Sequence, residues 1–219
     1  PPVVDPYAYV GAYDESASYD PKFTPPVAGD ICTADMLKLK NGAFTLSPGR
    51  YCGGIEIKSQ AEVTFEPGIY IIDGGRLNIQ AGATANGDNV MFYFTGDDAT
   101  FNVQGGGTLT LTGRHTGSSY EGFLFIQNPD AANGETSQIQ GGGEMTIRGV
   151  LYMPTQEIEV GGNSGFNASQ QYFGMVARNF SLIGNGEYNF TSDNSGTDLP
   201  DILPAAPKFE EQRLVRLVN

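Results

Sequence analysis

The stretch that decides the fold runs from Gly149 to Phe190 and reads GVLYMPTQEIEVGGNSGFNASQQYFGMVARNFSLIGNGEYNF. It contains one pattern twice: a glycine with an apolar run, an alternating strand, and a corner rich in Gly and Asn. The opening glycines are Gly149 and Gly174, a period of 25 residues, and the alternating strands are Ile158-Glu159-Val160 and Phe180-Ser181-Leu182. A β-type pattern repeated at this period is typical of a coil whose turns bury their apolar faces by stacking. We therefore predict an all-β, single-stranded right-handed parallel β-helix.

The same organisation begins further upstream. TLSPGRYCGGIEI (45–57) is echoed by TFEPGIYIIDGGRLNI (64–79), and each piece has Pro-Gly, a tyrosine two residues later and a Gly-Gly corner. We predict type II turns at Pro48-Gly49 and Pro67-Gly68, because the second position of that turn needs a positive φ. Glycine-punctuated strand pieces follow at 90–96, 100–105, 108–113, 122–127 and 144–149. Their apolar residues mostly alternate with polar ones, so we expect one side to face a narrow interior and the other to face water.

The composition indicates a β-rich chain with many turns. The 219 residues include 30 glycines, 13 prolines and no tryptophan, and only 17% are charged, which argues against a helical protein. The formal net charge of −13 and the pI near 4.3 argue against nucleic acid or an anionic membrane as a partner, because neither offers positive charge to the carboxylates. Solubility alone is a sufficient explanation of the acidity.

We divide the chain into an N-terminal segment (1–30), a β-helix (31–196) and a proline-rich C-terminal arm and tail (197–219). The first segment places tyrosines among prolines, which disfavour regular strands. It is either a linker or a strap whose tyrosines cover the first rung of the coil. No run of 18 apolar residues and no secretory leader is present, and the chain starts at Pro1. We therefore expect a mature or excised piece whose anchor lies elsewhere.

Cys32 and Cys52 are the only cysteines. In an exported protein, two cysteines with a single distant histidine, His115, favour a disulfide over a zinc site. Such a bond would attach the approach to the coil to its first rung.

The tail TDLPDILPAAPKFEEQRLVRLVN (197–219) is predicted to leave the coil, because Pro200, Pro204 and Pro207 prevent its continuation. Burial of the apolar residues beyond them would contribute several kcal/mol at about 25 cal/mol per Å². They either dock on the coil of the same chain or pair with a second subunit by strand addition. These candidate interaction residues are Phe209, Leu214, Val215, Leu217 and Val218.

Two loops interrupt the repeat, RHTGSSY (114–120) and NPDAANGETS (128–137), and both flank the apolar strand 122–127. We expect them to project from one side of the coil. They are the first places to look for a ligand, although ordinary surface loops are the simpler interpretation.

Several of these repeated stretches resemble sequences of a known protein family. The 149–190 stretch resembles the GxxYxPxxxxxxxGN and GxxxxxxxxxGNG pattern of the β-helical domain in TadE/TadG-like pilus-assembly proteins. LSPGRYCGGIEI (46–57), TFEPGIYIIDGG (64–75) and VMFYFTG (90–96) are similar to stretches of the TadG-like C-terminal region. The similarity covers residues 32–219.

This resemblance implies a non-enzymatic structural or adhesive component of a bacterial surface appendage, a minor pilin-like or tip protein of tight-adherence (Flp) pili. It implies a location at the cell surface or in the periplasm, with other pilus or envelope subunits, and surface glycans, as partners. Contact with a membrane is expected only through a segment absent from this chain. A polysaccharide-binding or polysaccharide-degrading β-helix is the alternative.

Enzymatic activity is the strongest rival class, because many β-helices cleave acidic polysaccharides with clustered aspartates and a nearby histidine. Asp97-Asp98 and His115 are the residues of this type here. An isolated Asp-Asp is commonly a turn element, and neither Arg-x-Lys nor Gly-His-Gly accompanies it. We therefore predict no catalytic residue and no enzymatic activity.

No metal or cofactor is predicted either. GGGTLTL and GGGEMTI have Thr where the calcium-binding repeat needs Asp, and the 128–137 loop offers only Asp130 and Glu135 as carboxylates. Binding to ice or another flat surface would require several ranks of threonine. The sequence shows one rank, formed by Thr108, Thr110 and Thr112.

Overall fold

The computed structural model describes residues 32–128, 136–140, 145–161, 172–184 and 193–202. These residues contain thirteen strands and no helix, and every strand pair is parallel. The strands are β1 (Ala34–Leu39), β2 (Gly42–Leu46), β3 (Gly49–Ile57), β4 (Ala61–Phe65), β5 (Gly68–Ile79), β6 (Thr84–Gly87), β7 (Val90–Thr95), β8 (Thr100–Val103), β9 (Thr108–Thr112), β10 (Phe123–Gln127), β11 (Thr136–Gln140), β12 (Met145–Gly161) and β13 (Phe173–Ile183). The predicted N-terminal segment, 1–30, lies outside the described residues.

The strands wind around three faces, and β12 passes along all of them. Its residues 145–148 pair with β9, residues 150–152 with β10, and residues 157–161 with β11. Face A consists of β2, β4, β6, β9 and the start of β12. Face B contains β7, β10, the first parts of β3, β5 and β13, and the middle of β12. Face C contains β8, β11 and the last parts of β3, β5, β12 and β13. The stack amounts to about six turns, which confirms the predicted parallel β-helix.

The repeat that predicted this fold is present in the register of the last two turns. Ile158 pairs with Phe180 and Val160 with Leu182, as the alternating pattern indicated. The opening glycines are displaced by one position, because Gly174 pairs with Val150 and not with Gly149. The two copies are therefore successive turns of one coil.

An aromatic column fills the interior behind face B. Tyr51, Tyr70, Phe92 and Phe125 follow one another with ring centroids 6.0, 5.2 and 5.6 Å apart. All four residues are at most 2% exposed. Phe65 of face A packs edge-on against Tyr70 at 5.1 Å and Phe92 at 5.0 Å. Such edge and offset contacts add to the free energy of simple burial, and here they join two faces of the coil.

Two tyrosine hydroxyls also satisfy backbone carbonyls at the Pro-Gly corners. Tyr51 donates to the carbonyl of Ser47 at 2.6 Å, and Tyr70 donates to those of Leu46 and Glu66, both at 2.7 Å. Burial first, and then the negative charge of Glu66, raises the pKa of Tyr51. Burial is also the main cause of the raised pKa of Tyr70. Both hydroxyls therefore remain protonated donors at neutral pH.

The Pro-Gly corners are not type II turns, and the sequence prediction is wrong on this point. Gly49 does not have a positive φ, and the φ of Gly68 is 148°, whereas a type II turn needs about +80°. The left-handed backbone lies further along each turn, at the Gly-Gly corners between faces B and C. Gly54 has a φ of 92° and Gly75 a φ of 80°.

These Gly-Gly corners also approach one another too closely for a side chain. A Cβ on Gly54 would lie 2.4 Å from the carbonyl oxygen of Arg76, and one on Gly75 would lie 2.3 Å from that of Gly53. Both contacts join neighbouring turns. Glycine is therefore required here by space as well as by φ.

The outer surface of face B contradicts the expectation that outward side chains face water. Its apolar side chains are buried and form a second hydrophobic cluster with Tyr120, and Ile202 packs against it. These side chains lie under the 113–122 loop, which contributes Tyr120, and under the 193–202 segment, which contributes Ile202. The outward residues are Ile71, Met91, Tyr93, Ile126, Val150 and Tyr152.

The 114–120 loop therefore folds back instead of projecting. Gly122 N–H donates to the carbonyl of Arg114 at 2.7 Å, and Thr116 N–H donates to that of Asp198 at 2.8 Å. Burial lowers the pKa of Arg114, whose guanidinium donates to the carbonyl of Asn89 at 2.6 Å. Most of the other predicted loop, 129–135, lies outside the described residues.

Cys32 and Cys52 form a disulfide, as predicted, with Cα atoms 5.7 Å apart and a sequence separation of 20. The adjacent Thr33 N–H donates to the carbonyl of Arg50 at 2.7 Å. The bond therefore attaches the residues before β1 to β3 on the next turn.

Reduction of this disulfide is expected to lower the free energy of unfolding by about 3 kcal/mol, because the bond restricts the unfolded chain. Urea unfolding with and without a reductant measures the change. The double variant Cys32→Ser/Cys52→Ser should match the reduced protein and show no response to reductant. Equal unfolding midpoints for the oxidised and reduced protein, or two free thiols in the non-reduced protein, would contradict this expectation.

Gly54→Ala is expected to destabilise the protein by about 2–5 kcal/mol, since it adds an overpacking cost to the cost of a left-handed backbone. Gly117→Ala is the matched control. Gly117 has a φ of 79° but nothing within 4 Å of its would-be Cβ, so its cost should be only about 1–2 kcal/mol. Chemical denaturation of both variants gives the difference, and equal losses would show that space at the corner is not limiting.

Candidate functional site

Face A carries a row of polar side chains that crosses the strands. The register places Thr45 beside Thr64 and Thr64 beside Asn86. Asn86 in turn lies beside Thr110, and Thr110 beside Thr146. The first four residues are exposed and the last is half-buried. Because neighbouring strands lie about 4.8 Å apart, this polar row presents a hydroxyl or amide at that interval along the coil.

The row results from the strict alternation of face A. In β4, Ala61, Val63 and Phe65 are buried and the two residues between them are exposed. In β9, Leu109 and Leu111 are buried while Thr110 is exposed. The parallel register then brings the outward residue of each strand into line with the next.

A groove of about 670 Å³ runs beside the polar row. Row residues from Thr45 to Thr110 line one side of it. The other side is a second row, formed by Glu66, Asp88, Thr112 and Arg148, with Pro67 beside the first of these. The lining extends from β2 to β12, so its shape suits an extended chain better than a compact ligand.

The second row carries charges of both signs along the coil. Glu66 and Asp88 directly follow Phe65 and Gly87, which are register partners. They therefore lie on neighbouring turns, at one end of the groove. Arg148, a register partner of Thr112, is the cation at the other end.

Each charged group of this row has a defined environment. The side chain of Asp88 is 70% exposed, and its Oδ1 lies 3.0 Å from Nε2 of His115. Glu66 is exposed and its Oε2 accepts a hydrogen bond from Ser47 Oγ at 2.6 Å. Arg148 is half-buried, and its Nε is buried without a hydrogen-bond partner.

This arrangement suits the binding of a cation better than acid–base catalysis. The general acid of a glycosidase needs apolar surroundings that keep it protonated. Glu66 and Asp88 are exposed instead. Their chemistry is that of two carboxylates that accept hydrogen bonds from ammonium or hydroxyl groups.

The structure does not bring together the three residues that the sequence singled out for catalysis. Asp98 has a φ of 59°, and the carbonyl of Asp97 accepts a hydrogen bond from Gly75 N–H at 2.9 Å. Asp97-Asp98 therefore forms the corner of the turn that follows the two Gly-Gly corners. It is a turn element, as the sequence predicted. His115 lies elsewhere, beside Asp88 at the margin of the groove.

Other predicted sites are described only in part. Among the residues that the structure describes, Cys32, Asp35 and Cys52 are the one cluster of metal-ligand types, but the two sulfurs are bonded to each other and are not thiolates. Asp130 and Glu135 lie outside the described residues. So do the candidate interaction residues Phe209, Leu214, Val215, Leu217 and Val218.

Sequence reasoning missed the polar row. Thr108, Thr110 and Thr112 are visible as one rank along a strand, but the row crosses strands, and only the register reveals it. The next row on face A consists of Ala43, Glu62, Thr84 and Thr108. Because only two of these four residues are threonines, the two rows do not form the threonine lattice that ice binding requires.

Comparisons with known proteins add a family but no activity. A family model described as a domain of unknown function (DUF7305) matches residues 14–197, a range that includes all thirteen strands. No curated protein and no solved structure matches the chain. Within the described ranges, no helix is long and apolar enough to cross a membrane.

The triple variant Asp97→Asn/Asp98→Asn/His115→Gln is expected to fold and melt like the wild type. Asn tolerates a left-handed backbone as well as Asp does, and Gln retains a donor for Asp88. Neither protein should release reducing ends from a polyuronate. Cleavage by the wild type that is lost in the variant would contradict the non-enzymatic interpretation.

Proposed function

The chain belongs to the family described as DUF7305, and we propose that it is a non-enzymatic adhesive component of a bacterial surface appendage. In this proposal the groove on face A binds an extended surface glycan, and the β-helix is its rigid support. The observation that carries the proposal is the pair of parallel rows beside the groove: one consists of hydroxyls and an amide, and the other consists of three charged groups and Thr112.

The chemistry of the groove favours a glycan that contains amino sugars. Hydroxyl and amide groups can exchange hydrogen bonds with sugar hydroxyls at intervals of about 4.8 Å, comparable to the length of one sugar unit in an extended chain. Glu66 and Asp88 would pair with ammonium groups. The net charge of −13 disfavours a polyuronate, because both would be anionic.

The groove supports weak and repeated binding rather than a single tight contact. The only aromatic residue that lines it, within the part of the chain described, is Phe65, which is 2% exposed and offers no stacking surface. Hydrogen bonds and exposed ion pairs each contribute little net free energy in water. Many copies on one appendage would raise the avidity without any new contact.

The location on an appendage is supported by the sequence alone. The repeats resemble those of TadE/TadG-like pilus-assembly proteins, and a disulfide is typical of an oxidising compartment outside the cytosol. The family description names neither pili nor glycans. A role as a minor pilin-like or tip subunit is therefore part of the proposal.

Glu66→Gln/Asp88→Asn is expected to weaken binding to a partly deacetylated β-linked polyglucosamine about tenfold at low salt. Two exposed ion pairs of about 0.7 kcal/mol each, within the usual range for such pairs, give that factor. Calorimetry with the soluble polymer measures it, and the difference should shrink as salt is added. Thr64→Val/Thr110→Val should weaken binding to the fully acetylated polymer as well.

Asp97→Asn/Asp98→Asn is the control, because it removes the same two charges at the corner between faces B and C. It should bind like the wild type. An equal loss in both acidic variants would mean that only overall charge matters. A wild type that binds neither polymer would contradict the glycan proposal, and one that cleaves them would contradict the non-enzymatic one.

A further inference from the structure

The groove on face A contains an arginine without a counter-ion. Arg148 lines the groove and is half-buried. Its Nε is buried without a hydrogen-bond partner, and no described residue forms an ion pair or hydrogen bond with the rest of its guanidinium. The two terminal nitrogens are not buried in this way, so they are accessible from the groove. A cation that has lost part of its hydration and has no counter-ion favours an anionic ligand.

The other half-buried arginines of the described chain do have oxygen partners. Arg50 forms an ion pair with Asp73, and Arg114 donates to the carbonyl of Asn89 at 2.6 Å. In both cases the acceptor compensates the guanidinium for the water that it has lost. For Arg148 the described residues supply no such acceptor, and the groove is the side from which one can approach.

The position of Arg148 along the coil defines its distance from the carboxylates. The charged row has one member on each of four successive turns, which are Glu66, Asp88, Thr112 and Arg148 in this order. With neighbouring strands about 4.8 Å apart, Arg148 lies about 10 Å from Asp88 and about 14 Å from Glu66 along the coil. An extended chain in the groove therefore meets two carboxylates, then a hydroxyl and then a guanidinium.

We infer that Arg148 binds an anionic group of the glycan, and that the ligand is zwitterionic, with its ammonium and anionic groups two to three sugar units apart. This inference rests on the proposed glycan binding. The anion is a carboxylate or a phosphate, because a guanidinium binds both through paired N–H groups. The hydroxyl of Thr112, on the neighbouring strand, is a further donor for it. Ammonium groups on the same polymer offset the repulsion that the net charge of −13 would exert on a polyanion.

Calorimetry with three polymers at low salt tests the inference. The parent is the partly deacetylated β-linked polyglucosamine, and its two derivatives carry scattered carboxymethyl or phosphate groups. The wild type should bind at least one derivative about tenfold more tightly than the parent, a gain typical of a hydrogen bond to a charged group. The derivative with the larger gain identifies the anion.

Arg148→Gln should abolish this gain, so that the variant binds the three polymers with similar affinity. The matched control is Arg76→Gln, which removes the same charge from an exposed arginine at the corner between faces B and C. It should retain the gain. A gain that survives in Arg148→Gln, or that is lost equally in both variants, would overturn the inference.

The outcome with the wild type also separates this inference from the glycan proposal. A wild type that binds the parent polymer but prefers neither derivative would overturn the anion site and leave glycan binding intact. A wild type that binds none of the three polymers would overturn both.

Nitrogen-15 NMR of the wild type provides a measurement that does not depend on the folding of Arg148→Gln. The Nε–H signal of Arg148 is assigned by its loss in Arg148→Lys, which retains the charge and most of the stem. This signal should shift when the preferred derivative is added and shift much less with the parent polymer. Equal shifts with both, or no shift with either derivative, would contradict the inference.

Discussion

The close approach of neighbouring turns at the Gly-Gly corners is the constraint on which the rest of the coil depends. At Gly54 the carbonyl of Arg76 lies 2.4 Å from the position of a would-be Cβ, so no other residue fits. A slip of one residue that moved Ile55 into this corner would place a side chain there, and a slip in either direction would turn each strand inside out. The corners therefore fix the register, and the register in turn produces both the inner columns and the outer rows.

The aromatic column shows how the local sequence adapts to that register. Tyr51 and Tyr70 each follow a Pro-Gly corner, and their hydroxyls satisfy carbonyls of that corner. Phe92 occupies the next place in the column but follows no Pro-Gly corner, and it has no hydroxyl. Packing requires the ring in all three of these turns, whereas the hydroxyl is present only in the two turns with a Pro-Gly corner, where it donates to a carbonyl of that corner.

The features that the sequence predicted correctly are those with a local signature. The pairing of Ile158 with Phe180 was predictable from the two copies in 149–190, because each copy contains its own strand and corner. The disulfide followed from the number of cysteines. The burial of Met91 and Tyr93 was not predictable in this way, since it depends on Ile202 and its neighbours returning from far along the chain. The polar row on face A was missed for a related reason, because it requires the register of five strands.

The first turn of the coil and the last turn that the structure describes are attached by different means, and this bears on the position of the groove. The first turn is attached covalently through Cys32 and Cys52, whereas β13 is attached to β12 through its parallel register. In a stack of repeats each turn contacts only its neighbours, so the stability of a site depends mainly on the turns that form it. The groove extends from β2 to the start of β12, and its first lining residue, Thr45, lies within the loop that the disulfide closes. The lining includes no residue of β13, so the geometry of the groove depends on the pairing of β2, β4, β6, β9 and β12 and not on that of β13.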